Sequence, residues 1–190
     1  MLIDPSQAPE VPGLKSPLEF YWVIDFPAPL AGMQWPRRVG RDSWNALSSA
    51  GFRWVVCLSS SRPQSGYDPC PLEPLVTVEL DDLCDGGVPC QPEQEERLIH
   101  SIAARSVAKL EAGEGVIVHC AGGRGRTGTV LGVVLKRLGL ETGEVLRFLN
   151  RVHRHRGTSG WPEAEWQQEV VRRAPVKEAR AQRDRPETAE

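Results

Sequence analysis

A cysteine and an arginine separated by five residues are the part of this 190-residue sequence best suited to chemistry. An apolar β-branched stretch at 116–118 precedes them, and a helix-prone stretch at 129–136 follows. A strand, a glycine-rich loop and a helix N-terminus together bind anions, because backbone N–H groups turn inward and the helix dipole favours negative charge. The sequence therefore predicts a phosphate cradle made of Ala121, Gly122, Gly123, Arg124, Gly125 and Arg126.

Cys120, at the base of this cradle, is the predicted nucleophile. A thiol beside a helix N-terminus, N–H donors and an arginine loses its proton readily, and the thiolate is the form that attacks. Arg126 can hold two phosphate oxygens through its planar guanidinium. The predicted chemistry is in-line attack of sulfur on a phosphate monoester to give a phosphocysteine. Arg126 and the loop N–H groups would stabilise the charge of the transition state.

The stretch from His119 to Gly128 resembles the signature loop of the protein tyrosine and dual-specificity phosphatases, which reads His-Cys, five residues, Arg-Thr-Gly. The upstream segments at 20–23, 30–33 and 51–58, followed by an acidic loop, are similar to those of the small single-domain atypical dual-specificity phosphatases. The resemblance covers roughly residues 18–172. It implies the α/β fold of that superfamily and a cysteine-dependent phosphatase without a metal or other cofactor.

The same resemblance implies roles for two neighbours of the nucleophile. Thr127, whose hydroxyl can donate to the cysteine sulfur, helps the thiolate to leave when the intermediate breaks down. His119 holds the cysteine backbone and keeps the thiol ionised. From the residues alone, His119 is either such an orienting group or an ordinary core histidine.

The leaving oxygen needs a proton from another loop, and the candidates are aspartates of the segment 79–89. Asp82 lies two residues beyond the predicted end of a strand over 75–80, and its Asp-Leu-Cys resembles the Asp-Phe-Cys of the small atypical enzymes. Asp85 begins Asp-Gly-Gly-Val-Pro, which resembles the acid loop of tyrosine phosphatases, although Leu83-Cys84 replaces its Trp-Pro. Asp82 is favoured, Asp85 is the main alternative, and Asp81 is the third candidate.

Two further features have competing interpretations. Arg124 could supply a second cation, since one phosphoinositide phosphatase family has lysine here and another lysine directly after the cysteine, where this chain has Ala121. A solvent-facing loop arginine is the alternative.

The stretch 161–163, Trp-Pro-Glu, mimics an acid loop but follows the signature instead of preceding it. A proline that starts the last helix is therefore the preferred interpretation.

Composition excludes several classes of function. A net charge of −2 and a pI near 6.1 give no electrostatic case for a nucleic-acid partner. No apolar run approaches the ~18 residues of a membrane span, and the N-terminus lacks the pattern of a signal peptide. The five cysteines show no zinc or disulfide spacing. Because a reactive thiolate needs a reducing compartment, a cytoplasmic protein is expected.

Alternating strand and helix patterns predict an α/β fold with a central, mostly parallel sheet and helices on both faces. Asp42-Ser43 is predicted to cap the first helix, another helix is predicted to begin at Pro92 and end at Gly113, and the helix after the signature to stop at Gly139. The chain divides into an extended, partly disordered lead over 1–17, a single phosphatase domain over 18–175 and a disordered charged tail over 176–190.

These features predict a monomeric phosphomonoesterase that acts through a phosphocysteine on phosphotyrosine in proteins or peptides. The sequence shows no separate loop that has an aromatic residue among basic ones and could clamp phosphotyrosine. The pocket should therefore be shallow, so activity on phosphoserine and phosphothreonine is also expected. A phosphatase for phosphoinositides or RNA 5′ ends is the alternative, favoured by Arg124. A non-catalytic phosphate-binding pseudophosphatase is the alternative of another class, and intact Cys120 and Arg126 argue against it.

Overall fold

The structure, a computed structural model, describes residues 2–37, 39–61 and 67–176. The strands of these ranges are β1 (Phe20–Ile24), β2 (Leu30–Met33), β3 (Phe52–Cys57), β4 (Glu73–Thr77) and β5 (Gly115–His119). The helices are α1 (Arg41–Ser49), α2 (Pro92–Glu111), α3 (Gly125–Arg137), α4 (Thr142–His155) and α5 (Glu165–Arg173).

The strands form one sheet in the order β1-β2-β5-β3-β4, with β1 antiparallel to β2 and the other pairs parallel. In this register His119, the last residue of β5, pairs with both Met33 of β2 and Cys57 of β3. The carboxyl ends of three neighbouring strands therefore meet at one edge, which is where ligands bind in open α/β sheets.

Helices cover both faces of the sheet, as the alternation along β5 shows. Val118 belongs to an apolar cluster that contains Ile102 of α2 and residues of α3, α4 and α5. Its neighbour Ile117 points the other way, into a second cluster with Trp44 and Leu47 of α1. The predicted α/β class, with a mostly parallel sheet between helices, is confirmed.

The element boundaries were predicted with mixed success. Helix α2 begins at Pro92, and Gly113 follows its end with a left-handed φ of 80°. The predicted cap at Asp42-Ser43 is wrong, because α1 begins at Arg41 with Gly40 as its N-cap, and Asp42 lies in the first turn. Strand β4 ends at Thr77 rather than at residue 80, although the N–H of Leu80 still donates to Leu58 O at 3.3 Å.

The first residues of the chain pack onto the domain. The N–H of Ile3 donates to Val23 O at 3.0 Å, and Val11 and Leu14 are buried in the cluster that contains α1. The division into lead, domain and tail remains a prediction, and the tail beyond Val176 lies outside the described residues. None of the helices in the described ranges is both long and apolar enough to cross a membrane.

Candidate active site

The predicted cradle lies at the carboxyl edge of the sheet, between β5 and α3. Cys120 directly follows β5 and is 2% exposed, and Arg126 lies in the first turn of α3. Gly123 has a φ of 66°, and a Cβ at this position would lie 2.5 Å from the carbonyl oxygen of Met33. This close approach of loop and β2 requires a glycine.

The loop carbonyls are bound from outside the cradle. The N–H of Trp35 donates to Ala121 O at 2.9 Å, and the hydroxyl of Tyr21 donates to Gly123 O at 2.9 Å. A carbonyl held outward leaves the N–H groups of its loop free to converge on an anion. The arrangement is the one that the predicted phosphate cradle needs.

Arg156, which sequence reasoning missed, makes the largest contribution to this support. Its guanidinium donates to Gly123 O at 2.7 Å and to Gly122 O at 3.1 Å, and it also donates to Leu18 O at 2.8 Å. It lies 4.7 Å from the centre of the Tyr21 ring and is 7% exposed. A buried cation therefore lies behind the cradle and joins it to the start of β1.

We expect Arg156→Lys to lower kcat/KM by about 10²-fold, because one ammonium cannot hold both loop carbonyls and small displacements at a reacting centre are costly. The variant should also bind vanadate more weakly, which a purely structural role distant from the cradle would not cause. Tyr21→Phe, which removes only one of the donors to Gly123 O, is the matched milder variant. Normal vanadate affinity in Arg156→Lys would contradict the assignment.

Arg126 is nearly fully buried and binds two carboxylates of the segment 79–89, the acid loop. It donates to Asp82 Oδ2 at 2.6 Å and to Glu79 Oε1 at 3.2 Å, and a further bond reaches Leu80 O at 3.2 Å. The carboxylate of Asp82 is about half exposed, so it can move when another anion takes its place. Asp82, the favoured general acid, thus contacts the arginine that is predicted to bind phosphate.

The other two aspartates of the loop are placed differently. The carboxylate of Asp81 accepts a hydrogen bond from the N–H of Cys90 at 2.6 Å, and the N–H of Asp81 donates to Glu95 Oε2 at 2.9 Å. The carboxylate of Asp81 therefore stabilises the conformation of its own loop. Asp85 is exposed, and its contact is with Cys84. Neither contact brings these carboxylates to Arg126.

His119 is fully buried in an aromatic cage. Its Nε2 is 2.8 Å from the hydroxyl of Tyr67, and the Tyr67 ring stacks on Trp35 at 5.2 Å between centroids. Its Nδ1 lies near the Cys120 backbone without a hydrogen bond of ordinary geometry. Burial lowers the pKa of His119 to about 4, so the ring is neutral at pH 7 and cannot stabilise a thiolate by charge. Its orienting role remains a prediction.

Thr127 lies in the first turn of α3, next to Arg126, and is fully buried. Its hydroxyl has no hydrogen-bond partner among the residues described. A buried hydroxyl without a partner is costly, and such groups need an explanation. The predicted role, donation to the cysteine sulfur when the thiolate leaves, would supply the missing bond and remains a prediction.

Arg124 does not face solvent freely, and it does not extend into the cradle. Its guanidinium donates to Gly160 O at 2.6 Å and to the hydroxyl of Ser159 at 2.8 Å, and it lies 3.8 Å from Glu163. Arg124 therefore ties the phosphate loop to the α4–α5 connection. The backbone of Arg124 remains part of the cradle, but its cation is engaged elsewhere.

Glu163 belongs to the site, although sequence reasoning set it aside. Its carboxylate lies beside Gly125, in the space that a Cβ of Gly125 would fill, and burial raises the pKa of Glu163. The expected explanation of Pro162 as the start of the last helix is wrong, because α5 begins at Glu165. Gln167 fixes this turn by accepting bonds from the N–H groups of Glu163 and Ala164.

Within the described ranges, no group of three or more His, Cys, Asp and Glu side chains is arranged to hold a metal ion.

Two buried histidines behind the site predict a loss of stability in acid. Burial lowers the pKa of His119 to about 4 and that of His153 to about 3. Above the usual pKa of ~6.5 both are neutral whether folded or unfolded. Below it the unfolded chain takes up protons that the folded chain does not, so stability falls from pH 6.5 toward pH 4, by up to ~1.4 kcal/mol per pH unit for each group.

Urea unfolding at pH 7 and pH 5 tests this sign. The loss of unfolding free energy between the two pH values should be smaller in His153→Gln than in the wild type. His155→Gln, a change at an exposed neighbour on the same helix, is the matched control and should lose as much as the wild type. An unchanged loss in His153→Gln would contradict the assignment of a neutral buried His153.

Comparison with known proteins agrees with this geometry. Residues 17–186 match the family model PTP-SAK, described as Swiss Army Knife protein, DSP-PTPase phosphatase domain. Among solved structures, Tk-PTP in its active form is 24% identical with a TM-score of 0.54, covering 75% of this chain and 88% of that one.

Two more structures are similar in fold. TpbA of P. aeruginosa, solved in complex with pTyr, is 15% identical with a TM-score of 0.56 and covers 92% of this chain and 88% of that one. PTPMT1, solved in complex with PI(5)P, is 18% identical with a TM-score of 0.54 and covers 75% of this chain and 86% of that one. Since the family model spans nearly the whole chain and the site carries its thiol and arginine in one anion cradle, this chain belongs to the PTP-SAK family and is a cysteine-dependent phosphatase of the tyrosine and dual-specificity superfamily.

Proposed function

We propose that this chain is a protein phosphatase that hydrolyses phosphotyrosine, and also phosphoserine and phosphothreonine, through a phosphocysteine on Cys120. The observation that carries the proposal is the bond of 2.6 Å between Arg126 and Asp82, in a cradle that has Cys120 at its base. It supports the proposal because the residues proposed as phosphate-binding cation, proton donor and nucleophile lie at one edge of the sheet. A monomeric, cytoplasmic protein is part of the proposal.

In the first step the Cys120 thiolate attacks phosphorus, the S–P bond forms and the bond from phosphorus to the leaving oxygen breaks. Asp82 donates the proton that the leaving oxygen needs. Arg126 and the N–H groups of the loop bind the equatorial oxygens, where transition-state charge is spread. The incoming phosphate replaces the Asp82 carboxylate on the guanidinium, and the released carboxylate takes up a proton from solvent before it acts as the acid.

In the second step water attacks the phosphocysteine. The Asp82 carboxylate takes the proton of that water, the S–P bond breaks, and inorganic phosphate and the Cys120 thiolate are released. Thr127 would donate to the departing sulfur, since its buried hydroxyl has no other partner among the described residues. The two steps leave the protein in its starting state with Asp82 protonated again.

The engagement of Arg124 favours a protein substrate over a phosphoinositide. A phosphoinositide headgroup carries further phosphates, and a second free cation within the loop 121–126 itself would suit them. Here the guanidinium of Arg124 is bound to Gly160, Ser159 and Glu163. PTPMT1, in complex with PI(5)P, is a neighbour in fold, and that similarity says nothing about the substrate of this chain.

We expect Asp82→Asn to cut kcat on a phosphotyrosine peptide by ~10²–10⁴-fold, the usual contribution of a general acid. It should also remove the basic limb of the profile of kcat/KM against pH. Because the carboxylate that competes for Arg126 is lost, KM should fall along with kcat. In kcat/KM, which reports the first step, an aryl phosphate with an activated leaving group should be slowed much less, since such a group needs little protonation.

Asp85→Asn is the matched control, because it removes an exposed carboxylate of the same loop. It should cause only a modest loss on the same peptide. The opposite ranking would transfer the role to Asp85, and small, equal effects would point to Asp81 instead.

A further inference from the structure

A cavity of about 600 Å³ opens beside the phosphate cradle, on the side of Ala121. Its walls come from residues 13–15 and Glu19 before β1, and from residues 33–37 and Val39 between β2 and α1. A volume of this size is typical of sites that hold small molecules or side chains. Neither Cys120 nor Arg126 lines it, so it is a separate space adjoining the reaction centre.

Backbone hydrogen bonds fix this cavity relative to the nucleophile. The N–H of Trp35 donates to Ala121 O at 2.9 Å, directly after Cys120. The N–H of Gln34 donates to Glu19 O at 2.9 Å, and the N–H of Glu19 donates to Lys15 O at 2.7 Å. A group bound in the cavity is thereby held in a defined position relative to a phosphate in the cradle.

Two cations line the cavity without a partner for their charge. Neither the ammonium of Lys15 nor the guanidinium of Arg37 forms an ion pair or side-chain hydrogen bond with any residue in the described ranges. The one carboxylate of the lining, that of Glu19, accepts a bond from the N–H of Lys15 at 3.1 Å. The net charge of the lining is positive, and its apolar residues include Val39, which is only partly buried.

We propose that this cavity is a substrate subsite that binds an acidic side chain flanking the phosphorylated residue of a peptide, with Lys15 and Arg37 as its partners. The proposal rests on the proposed protein phosphatase activity. Two cations on a partly apolar wall suit one carboxylate together with its aliphatic stem. An inositol polyphosphate would bring several phosphates and no apolar group, and the lining matches it less well.

The test compares two phosphotyrosine peptides that differ only in having Glu or Gln at the flanking positions. The ratio of their kcat/KM values is measured within each enzyme, so that a general loss of activity cancels. The wild type should favour the Glu peptide by about tenfold, the equivalent of one or two charge-assisted hydrogen bonds. The ratio should fall close to one in Lys15→Ala/Arg37→Ala.

Charge reversal gives an independent readout. Lys15→Glu/Arg37→Glu should prefer a peptide flanked by Lys over the Glu peptide. Arg147→Ala/Arg154→Ala removes two exposed cations of α4 and should keep the wild-type ratio. A wild-type ratio near one, or a preference that survives in Lys15→Ala/Arg37→Ala, would overturn the subsite.

The proposed function and the subsite fail in different ways. If no phosphopeptide is hydrolysed although an aryl phosphate is, the protein phosphatase activity is wrong. If the Glu and Gln peptides are hydrolysed equally well, only the subsite is wrong. If an inositol polyphosphate is hydrolysed faster than both peptides and loses that advantage in Lys15→Ala/Arg37→Ala, the cavity serves another substrate class, which also overturns the proposal.

Discussion

Cys120→Ser is expected to abolish hydrolysis of a simple aryl phosphate, with a loss on the order of 10³-fold or more, as is usual when a catalytic nucleophile is removed. A serine hydroxyl is too weakly acidic to ionise where a thiol does, so the attacking anion is lost. The cradle itself depends on glycine conformations and on outward-bound carbonyls, which the change leaves in place. Inorganic phosphate, which binds the cradle without a bond to sulfur, should therefore still bind.

The measurement is kcat/KM for the aryl phosphate together with phosphate affinity by calorimetry. Cys70→Ser, which changes an exposed cysteine, is the matched control and should turn over like the wild type. Residual activity of Cys120→Ser within tenfold of the wild type would mean that another group attacks phosphorus.

Arg126→Lys is expected to lower kcat/KM by about 10³-fold or more, the range seen when a group that stabilises transition-state charge is lost. The guanidinium can bind two phosphate oxygens at once, whereas an ammonium acts as a single charge. Arg126 also holds Asp82 and Glu79, so a lysine would loosen the acid loop as well.

Arg124→Lys is the control from the same loop, because the side chain of Arg124 binds the α4–α5 connection and does not serve the phosphate in this account. Its loss should be far smaller. A near-normal rate in Arg126→Lys, or equal losses in the two variants, would mean that Arg126 is not the arginine that binds phosphate.

The strand, loop and helix around Cys120 could be predicted because their determinants are local. A β-branched run, glycines and a helix-prone stretch follow one another between residues 116 and 136, so short-range rules suffice. The central sheet was equally accessible from the alternation of strand and helix patterns. The end of β4 could not be predicted. Isolated backbone hydrogen bonds continue beyond Thr77, and no sequence signal distinguishes residues that form such bonds from residues of a regular strand.

The supporting residues could not be found from the sequence because they are distant along the chain and resemble surface residues. Arg156 follows a basic helix end and so looks like a solvated charge, yet it is buried and reaches carbonyls 33 and 34 positions away. Tyr21 reaches Gly123 across 102 positions. Only tertiary packing brings them together.

Trp35 and Arg37 show a different limit. An aromatic and a basic residue stand two positions apart in the sequence, a pattern too common to indicate a phosphotyrosine clamp. Their position beside Ala121 depends on the backbone bond from Trp35 to the cradle. The residues of the proposed subsite can be read in the sequence, but only the fold shows that they lie near the nucleophile.

The central claim is that phosphate passes through a covalent bond to Cys120, and trapping that bond tests it most directly. In Asp82→Asn an activated aryl phosphate should still phosphorylate the enzyme quickly, while the second step, which needs the carboxylate as a base, should be slow. Acid quenching and peptide mass spectrometry should then find one phosphoryl group on the peptide that contains Cys120, with a burst of about one equivalent of phenol. Turnover without a burst and without a label on Cys120, or a label on another residue, would contradict the account.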